Sequence, residues 1–454
     1  MPLLRPKEPR RIVRKRDWFS SKHNPHFDLP LSRVDATTLV SNAANVVAHS
    51  FLPLMCFTKA DRRFRSAGSD RPKGSLKPRP LAYCANRDGY IFSYYAHLLA
   101  APYEAELAKR GLTNSVIAYR KITINGKPGA SNIELARDAF VEIRQRGTCL
   151  AIALDIKGFF DNIDHRTLKR SWLSLIGYQE LPPDHYTVFR TLTRYRYVDR
   201  KECLTRLGRR PRTPHSELLP RICTPREFRE KIRGDDGLAP SLIKQNVNRF
   251  GIPQGTPLSA MAANIAMLEF DTMISQYVAS LGGSYRRYSD DILLILPPSK
   301  PAQYISVIDD AMREATKTLK IHPGKTQITR FTSGKLSPAS RPLQYLGFTF
   351  DGSRALLRDT TLSRYWRRMA NSVRWAIRER KKAIKGRIEG RPQLHRRELL
   401  ARYTHLGSES FNRGYATRAH KGMGDFAQIK RQLRNHMRIL KNKIQFHTER
   451  NRLY

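Results

Sequence analysis

Tyr288-Ser289-Asp290-Asp291 constrains this chain more than any other four residues. It stands between the alternating Ser284-Tyr285-Arg286-Arg287 and the apolar run Ile292-Leu293-Leu294-Ile295-Leu296, a pattern that predicts two strands joined by a tight turn. A hairpin tip is a poor place for adjacent carboxylates unless a cation turns their repulsion into attraction. Taken alone, the tetrapeptide fits a solvated turn as well as it fits a metal site. A second carboxylate tips the balance. Cys149-Leu150-Ala151-Ile152-Ala153-Leu154-Asp155 predicts a buried strand that delivers Asp155 at its carboxyl end. Asp155 and Asp290 are far apart in the chain, yet adjacent strands would bring them together. Converging carboxylates can hold two Mg²⁺ ions, with Mn²⁺ able to substitute. Such ions activate an attacking hydroxyl and stabilise a leaving pyrophosphate.

Composition narrows the partners. The chain has 454 residues, with 83 Lys and Arg against 39 Asp and Glu, a formal net charge of +44. A charge of that size points to polyanions and says nothing about fold. Nucleic acid is favoured over a membrane, because no apolar run approaches the roughly 18 residues needed to span a bilayer. The basic stretch Arg5 to Arg16 is not followed by the apolar core of a signal peptide, and Asp17, Asp28 and Asp35 count against a transit peptide. The five cysteines include no Cys-Xaa-Xaa-Cys pair, which fits a reducing, cytoplasmic setting. Cys203, His215 and Cys223 share one basic segment, but their spacing matches no familiar zinc site, so bystander cysteines are the better reading.

Along the chain, residues 1–35 are basic and proline-rich and predict an extended arm. Residues 36–57 carry the apolar pattern of a helix, and 61–80 read as a loop. Residues 90–107 predict a helix whose aromatics belong to a core. Asn114 to Ile124 read as one or two strands carrying the exposed pair Tyr119-Arg120, and 132–146 predict an amphipathic helix. Residues 199–248 form a basic insertion with Pro211, Pro214, Pro220, Pro225 and Pro240, a kind of segment that is usually functional or mobile. Residues 258–277 predict one helix. From Thr361 onward the chain has 25 Lys and Arg against 6 Asp and Glu, with helical patterns in 362–388, 393–406 and 425–446. There is no internal repeat and no Gly-Xaa4-Gly-Lys-Ser/Thr loop.

Together these segments resemble the reverse transcriptases. Asp155 and its strand match the first palm motif, Gly251-Ile252-Pro253-Gln254-Gly255-Thr256-Pro257-Leu258-Ser259 the second, and Tyr288-Ser289-Asp290-Asp291 the third. His322-Pro323-Gly324-Lys325-Thr326 is similar to the fourth, and Leu343-Gln344-Tyr345-Leu346-Gly347-Phe348 to the primer-grip hairpin. The resemblance implies an α+β right-hand polymerase fold: fingers over 36–148, a ferredoxin-like palm with an antiparallel sheet over 149–360, and a basic helical thumb over 361–454. It implies that Asp155, Asp290 and Asp291 bind the metals, with the Ile156 carbonyl assisting, and that Lys325 protonates the leaving pyrophosphate. Phe160 takes the position that disfavours a ribose 2′-hydroxyl. Gln254 and Gly255 shape the dNTP pocket, Arg79 and Arg120 meet the triphosphate, and Leu346, Gly347 and Phe348 form the primer grip. As ordinary residues, Phe160 would be core and Lys325 a solvated loop lysine.

A finer resemblance lies in Arg79 to Tyr95, Val116 to Arg120 and Pro220 to Leu238, which look like the bacterial "unknown group" reverse transcriptases of anti-phage defence, kin to those of retrons and group II introns. That likeness implies a non-coding RNA template, a DNA product and a homo-oligomer or companion defence protein. The tail after Thr361 has one Asp and five scattered Glu, too few for the converging carboxylates of an RNase H or integrase domain. The rival expectations are a maturase-like RNA-binding protein, and template-independent, protein-primed or protein-templated DNA synthesis.

Overall fold

The computed structural model describes residues 18–19, 24–62, 76–120, 122–124, 127–210, 218–298, 301–385, 396–403 and 415–450. The chain divides into two compact units that interleave along the sequence. Unit 1 comprises residues 1–113, 157–273 and 309–320, and unit 2 comprises 114–156, 274–308 and 321–454.

Unit 1 is built on a four-stranded sheet, in the order Leu76–Tyr83, Leu54–Arg62, Arg196–Asp199, Lys244–Gln245. The first two strands are antiparallel, with Met55 opposite Tyr83 and Lys59 opposite Arg79. The helix expected over 36–57 is instead two short helices and a strand: Arg33–Ser41, Ala43–Ala48, then Leu54 onward. Asn42 makes the break, since its side chain accepts from the Ala44 N–H and caps the second helix. The loop expected over 61–80 is strand at both ends, and residues 63–75 lie outside the described residues.

The insertion 199–248 is not a loose excursion. Val198, Cys203, Leu204, Ile222, Cys223 and Ile232 pack with Phe27 and Met55 into one apolar core. Burial pushes the Cys203 thiol up to about 12 and the Cys223 thiol up to about 11, so both behave as apolar filler. His215 lies outside the described residues. The helix expected over 258–277 is two, Ser259–Ala266 and Leu268–Ser280, parted at Met267.

Unit 2 holds the antiparallel sheet that the carboxylates require. Its order is Lys335–Leu336, Gln327–Thr332, Cys149–Asp155, Asp291–Leu296, Ser284–Tyr288. Helix Asn132–Arg146 covers one face; it starts at a capping box in which Ser131 and Glu134 satisfy each other's backbone N–H groups. Phe140 of that helix stacks on Phe350 at 4.3 Å, in a core shared with Ile143, Leu293, Ile295 and Phe331. A three-stranded sheet follows, Leu343–Tyr345, Phe348–Phe350 and Ala355–Leu357.

The strands expected over 114–124 reduce to a bridge between Val116 and Arg287 and the two residues Thr123–Ile124. The late helices are Asp359–Lys385, Arg396–Tyr403, Tyr415–Met423, Ile429–Gln432 and His436–Arg450. Met369, Val373, Ile377, Leu399, Leu440 and Ile444 form a second apolar cluster among them. Among the described residues no helix is long and apolar enough to cross a membrane. The fold class is α+β, and the sheet that carries Asp155 and Asp291 is antiparallel.

Candidate active site

Register places the carboxylates. Strand Cys149–Asp155 is central in its sheet, and its pairing with Asp291–Leu296 sets Asp155 opposite Asp291. Strands Ser284–Tyr288 and Asp291–Leu296 close with Tyr288 opposite Asp291, which leaves Ser289 and Asp290 as a two-residue turn. The Ile156 N–H donates to the Asp290 carbonyl at 3.0 Å, and the His322 N–H to the Asp155 carbonyl at 2.8 Å. The second contact brings the 3₁₀ turn Pro323–Lys325 alongside, and the Lys325 ammonium donates to Asp155 Oδ1.

The charges here are costly. Burial, then the neighbouring Asp290 and Asp155, pushes the Asp291 carboxyl up to about 6, with Arg358 and Lys325 opposing. The Asp290 carboxyl is also raised, first by burial, with Asp155 adding to it. Among the described residues no group of three or more His, Cys, Asp or Glu forms a ready-made metal cluster. The donor set is nonetheless one of hard carboxylate oxygens, and a bound divalent cation would relieve the repulsion that raises Asp290 and Asp291. The Ile156 side chain is buried.

The turn is held from behind. Ser289 has a φ of +60°, the left-handed value that a type II′ turn demands of its first central residue and that usually selects glycine. Fully buried Arg287 donates from Nη1 to the Ser289 carbonyl at 3.2 Å. The Ser289 hydroxyl lies 3.0 Å from the Tyr119 hydroxyl, and Tyr119 also has a positive φ, +62°. The segment before Tyr119 is bonded to the sheet edge: the Ile117 N–H donates to the Arg287 carbonyl, and the Arg287 N–H to the Ser115 carbonyl. Arg120, half-buried, donates to the Val116 carbonyl. Sequence reasoning singled out Tyr119 only as an exposed residue beside Arg120, and it missed Arg287. Its burial, which the sequence does not show, is what marks Arg287 out.

Four expected nucleotide residues fall in unit 1. The Ile252 N–H donates to the Phe160 carbonyl at 2.9 Å, tying the first motif to the second. The Ala82 N–H donates to the Gln254 carbonyl at 2.9 Å, so Gln254 is fixed to the strand that carries Arg79. Gly255 is required: its φ is +122°, and a Cβ there would stand 2.3 Å from the Ala82 carbonyl oxygen. Gln254 and Arg79 are exposed and Phe160 is half-buried.

The hairpin expected to act as primer grip is a second two-residue turn, with Tyr345 opposite Phe348 and positive φ at both Leu346 (+44°) and Gly347 (+95°). Asn132 Nδ2 donates to the Leu346 carbonyl at 2.9 Å and to the Tyr415 hydroxyl at 2.7 Å. The Arg358 N–H donates to the Gly347 carbonyl at 3.1 Å. The Leu346 and Phe348 side chains are buried in the core, so they brace the turn and are not presented on it. Asn132, Arg358 and Tyr415 carried no sequence signal.

Residues 238–350 match the family described as "Reverse transcriptase (RNA-dependent DNA polymerase)". That stretch includes Asp290, Asp291, Gln254 and Lys325; Asp155 lies ahead of it, across the insertion. No curated protein matches the chain. Similar solved structures include an apo telomerase from Candida tropicalis truncated from its C-terminal domain (10% identity, 62% of this chain and 52% of that one, TM-score 0.40). A second Candida tropicalis apo telomerase has 14% identity over 64% and 49%, TM-score 0.37. A Candida albicans telomerase solved with a TWJ fragment of telomeric RNA has 12% identity over 91% and 59%, TM-score 0.42. Scores this low do not establish a shared fold, and this chain spans about half to three-fifths of those chains. What the sequence match establishes is that the chain carries a reverse transcriptase domain, the domain of an RNA-dependent DNA polymerase.

Proposed function

We propose that the protein is an RNA-directed DNA polymerase that adds dNTPs to a growing DNA strand, copying a non-coding RNA in bacterial anti-phage defence. The observation that carries the catalytic reading is the register that sets Asp155 opposite Asp291, with Asp290 in the adjoining turn. Asp155, Asp290 and Asp291 would hold two Mg²⁺ ions with help from the Ile156 carbonyl. When bound, the ions activate the attacking 3′-hydroxyl and stabilise charge on the leaving pyrophosphate.

The chain's own groups supply the rest. Lys325, already beside Asp155, is positioned to hand a proton to the pyrophosphate. The Phe160 ring disfavours a 2′-hydroxyl. Gln254 and Gly255 shape the pocket, and the guanidiniums of Arg79 and Arg120 suit phosphate recognition. The Leu346-Gly347 backbone, braced by Phe348, would guide the primer end. Residues 36–148 would act as fingers, 149–360 as palm and 361–454 as a thumb on the duplex, the last supported by its excess of cations. The likeness of residues 79–95, 116–120 and 220–238 to defence-associated enzymes supports the biological role.

The test is dNTP incorporation by the protein purified with its own RNA, with and without Asp290→Ala, followed by sequencing of the product. Wild-type product complementary to the RNA, lost in the variant, is the expected result. RNA binding and phage protection that survive the substitution would instead establish the maturase-like reading.

A further inference from the structure

One feature of unit 1 plays no part in that reading. Helix Pro183–Thr193 is fixed to its core through Val188, Phe189 and Leu192, and Trp172 Nε1 donates to His185 Nδ1 at 3.2 Å. On another face Tyr186, Arg190 and Arg194 follow one another at four-residue spacing, one above the next. This stripe lines two cavities, of about 400 Å³ and about 610 Å³, that share those three residues. Arg196 lines the first, and Arg166 and Arg249 the second. Among the described residues no acidic side chain lines either one.

All five arginines are exposed, and among the described residues none has a carboxylate partner. Elsewhere in the same unit basic side chains do find acids: Arg110 with Glu106 and Glu269, Arg226 with Glu230, Arg233 with Asp235, Lys244 with Glu202. Asp164 and Asp184, close in sequence to the lining residues, are committed elsewhere. Asp164 accepts from the Thr167 N–H as a helix cap, and Asp184 accepts from the Tyr95 hydroxyl. Burial lowers the His165 pKa, so this residue adds no positive charge near neutral pH; its Nε2 lies 2.8 Å from the Gly251 carbonyl, a pure acceptor, and therefore carries the proton.

Like charges one helical turn apart repel, and no carboxylate among the described residues repays that cost. Guanidiniums in a concave site select phosphate, and an exposed tyrosine beside them offers a ring on which a base can stack. A tyrosine ring can lie under a base only where that base is unpaired, which favours a single strand over a duplex. We infer that the Tyr186–Arg190–Arg194 cleft binds single-stranded RNA, with Arg166, Arg190, Arg194, Arg196 and Arg249 on the phosphates and Tyr186 under a base. The strand can be template ahead of copying or a part of the RNA that is never copied; the chemistry is the same. The choice of RNA as the strand rests on the proposed function, while binding itself needs no dNTP.

The test uses full-length protein freed of nucleic acid and a short oligouridylate carrying 4-thiouridine. Ultraviolet cross-linking, mapped by mass spectrometry, is expected to mark the peptide that contains Tyr186. In anisotropy titrations Tyr186→Ala should weaken binding about tenfold. The double variant Arg190→Gln, Arg194→Gln should reduce the slope of log K against log salt by about 1.4, the loss of two single-strand phosphate contacts. Incorporation on a minimal primer–template should be unchanged in both variants, which separates this cleft from the carboxylate site. An RNA with the oligouridylate placed upstream of the copied segment, compared with one placed outside it, distinguishes the two sources. Cross-links confined to other peptides, an unchanged salt slope, or loss of binding for duplex alone would overturn the inference. Competition by tripolyphosphate with no effect of Tyr186→Ala would also overturn it, because the cleft would then be a free-polyphosphate site.

Discussion

Unit 2 contains two hairpins with the same skeleton and opposite uses of it. The turn at Ser289-Asp290 and the turn at Leu346-Gly347 each have two central residues, and each puts a non-glycine residue at positive φ, Ser289 at +60° and Leu346 at +44°. At the first, side chains carry the chemistry: Asp290 and Asp291 are charged groups held where burial and mutual repulsion oppose charge. At the second, side chains vanish into the core and the backbone is what remains on offer, its carbonyls bonded by Asn132 and Arg358. A strained turn is thus not itself a signature of reactivity. Residue chemistry at the turn decides whether the strain presents carboxylates or shapes a backbone rail.

The contrast can be broken by substitution, beginning with the largest effect. Asp155→Asn keeps the shape of the site and removes one charge. It should reduce dNTP incorporation by a factor on the order of a hundred to a thousand or more, read in single-turnover assays at saturating Mg²⁺. A loss under tenfold would mean that Asp155 is not part of the chemistry.

Asp291→Asn tests the energetic cost of the same cluster. The Asp291 carboxyl has a folded-state pKa raised to about 6. The folded state therefore holds its proton where the unfolded state has lost it, and stability falls as pH rises from about 4 to about 6. With divalent cations chelated, the variant should unfold later than wild type at pH 8, by up to roughly 3 kcal/mol. That advantage should shrink as pH falls through 6 and vanish near 4. Denaturation curves at several pH values decide it, and an equal or lower stability at pH 8 would contradict the assigned repulsion.

Gly347→Val addresses the second hairpin. With φ at +95° and a new Cβ in ordinary contact with the Tyr415 hydroxyl at 3.7 Å and Asn132 Nδ2 at 3.8 Å, the penalty is mainly conformational, about 1–3 kcal/mol. KM for primer–template should rise more than kcat falls, since only the rail is disturbed. Tyr119→Phe is the mildest change. It removes the hydroxyl beside Ser289 and should cost about 0.5–1.5 kcal/mol in stability. A fewfold drop in incorporation should accompany it if the Tyr119–Ser289 contact positions the aspartate turn, and an unchanged rate would limit the contact to stability.

The parts of this molecule legible in the sequence were those whose signal is local. The apolar run Ile292 to Leu296 and the strand ending at Asp155 announced themselves by pattern, and the helix Asn132–Arg146 by periodicity. The 36–57 stretch misled because its apolar spacing continues past Asn42, whose side chain prefers to cap a helix than to sit within one. The insertion misled in the other direction. Its prolines spoke for a loop, while Cys203, Ile222 and Ile232, separated by long polar stretches, converge only when the chain returns to Phe27 and Met55. Asn132 and Tyr415 meet across almost the whole of unit 2's sequence, and no window of residues contains such a contact. The candidate carboxylates were visible for their chemistry; what holds them in place, Arg287 and Tyr119, is visible only in three dimensions.

The position of strand Cys149–Asp155 in the middle of its sheet has a dynamic consequence. Both of its edges are occupied, by Gln327–Thr332 on one side and Asp291–Leu296 on the other, and its residues from Cys149 to Leu154 are almost all buried. Its amide protons should be among the last in unit 2 to exchange with solvent deuterium, since release requires parting two ladders at once. Protection should extend through Asp155 to Ile156, whose N–H donates to the Asp290 carbonyl, before the chain leaves the sheet. A slow-exchanging rod that terminates at a carboxylate gives that group a fixed origin, against which any motion of a bound strand can be measured.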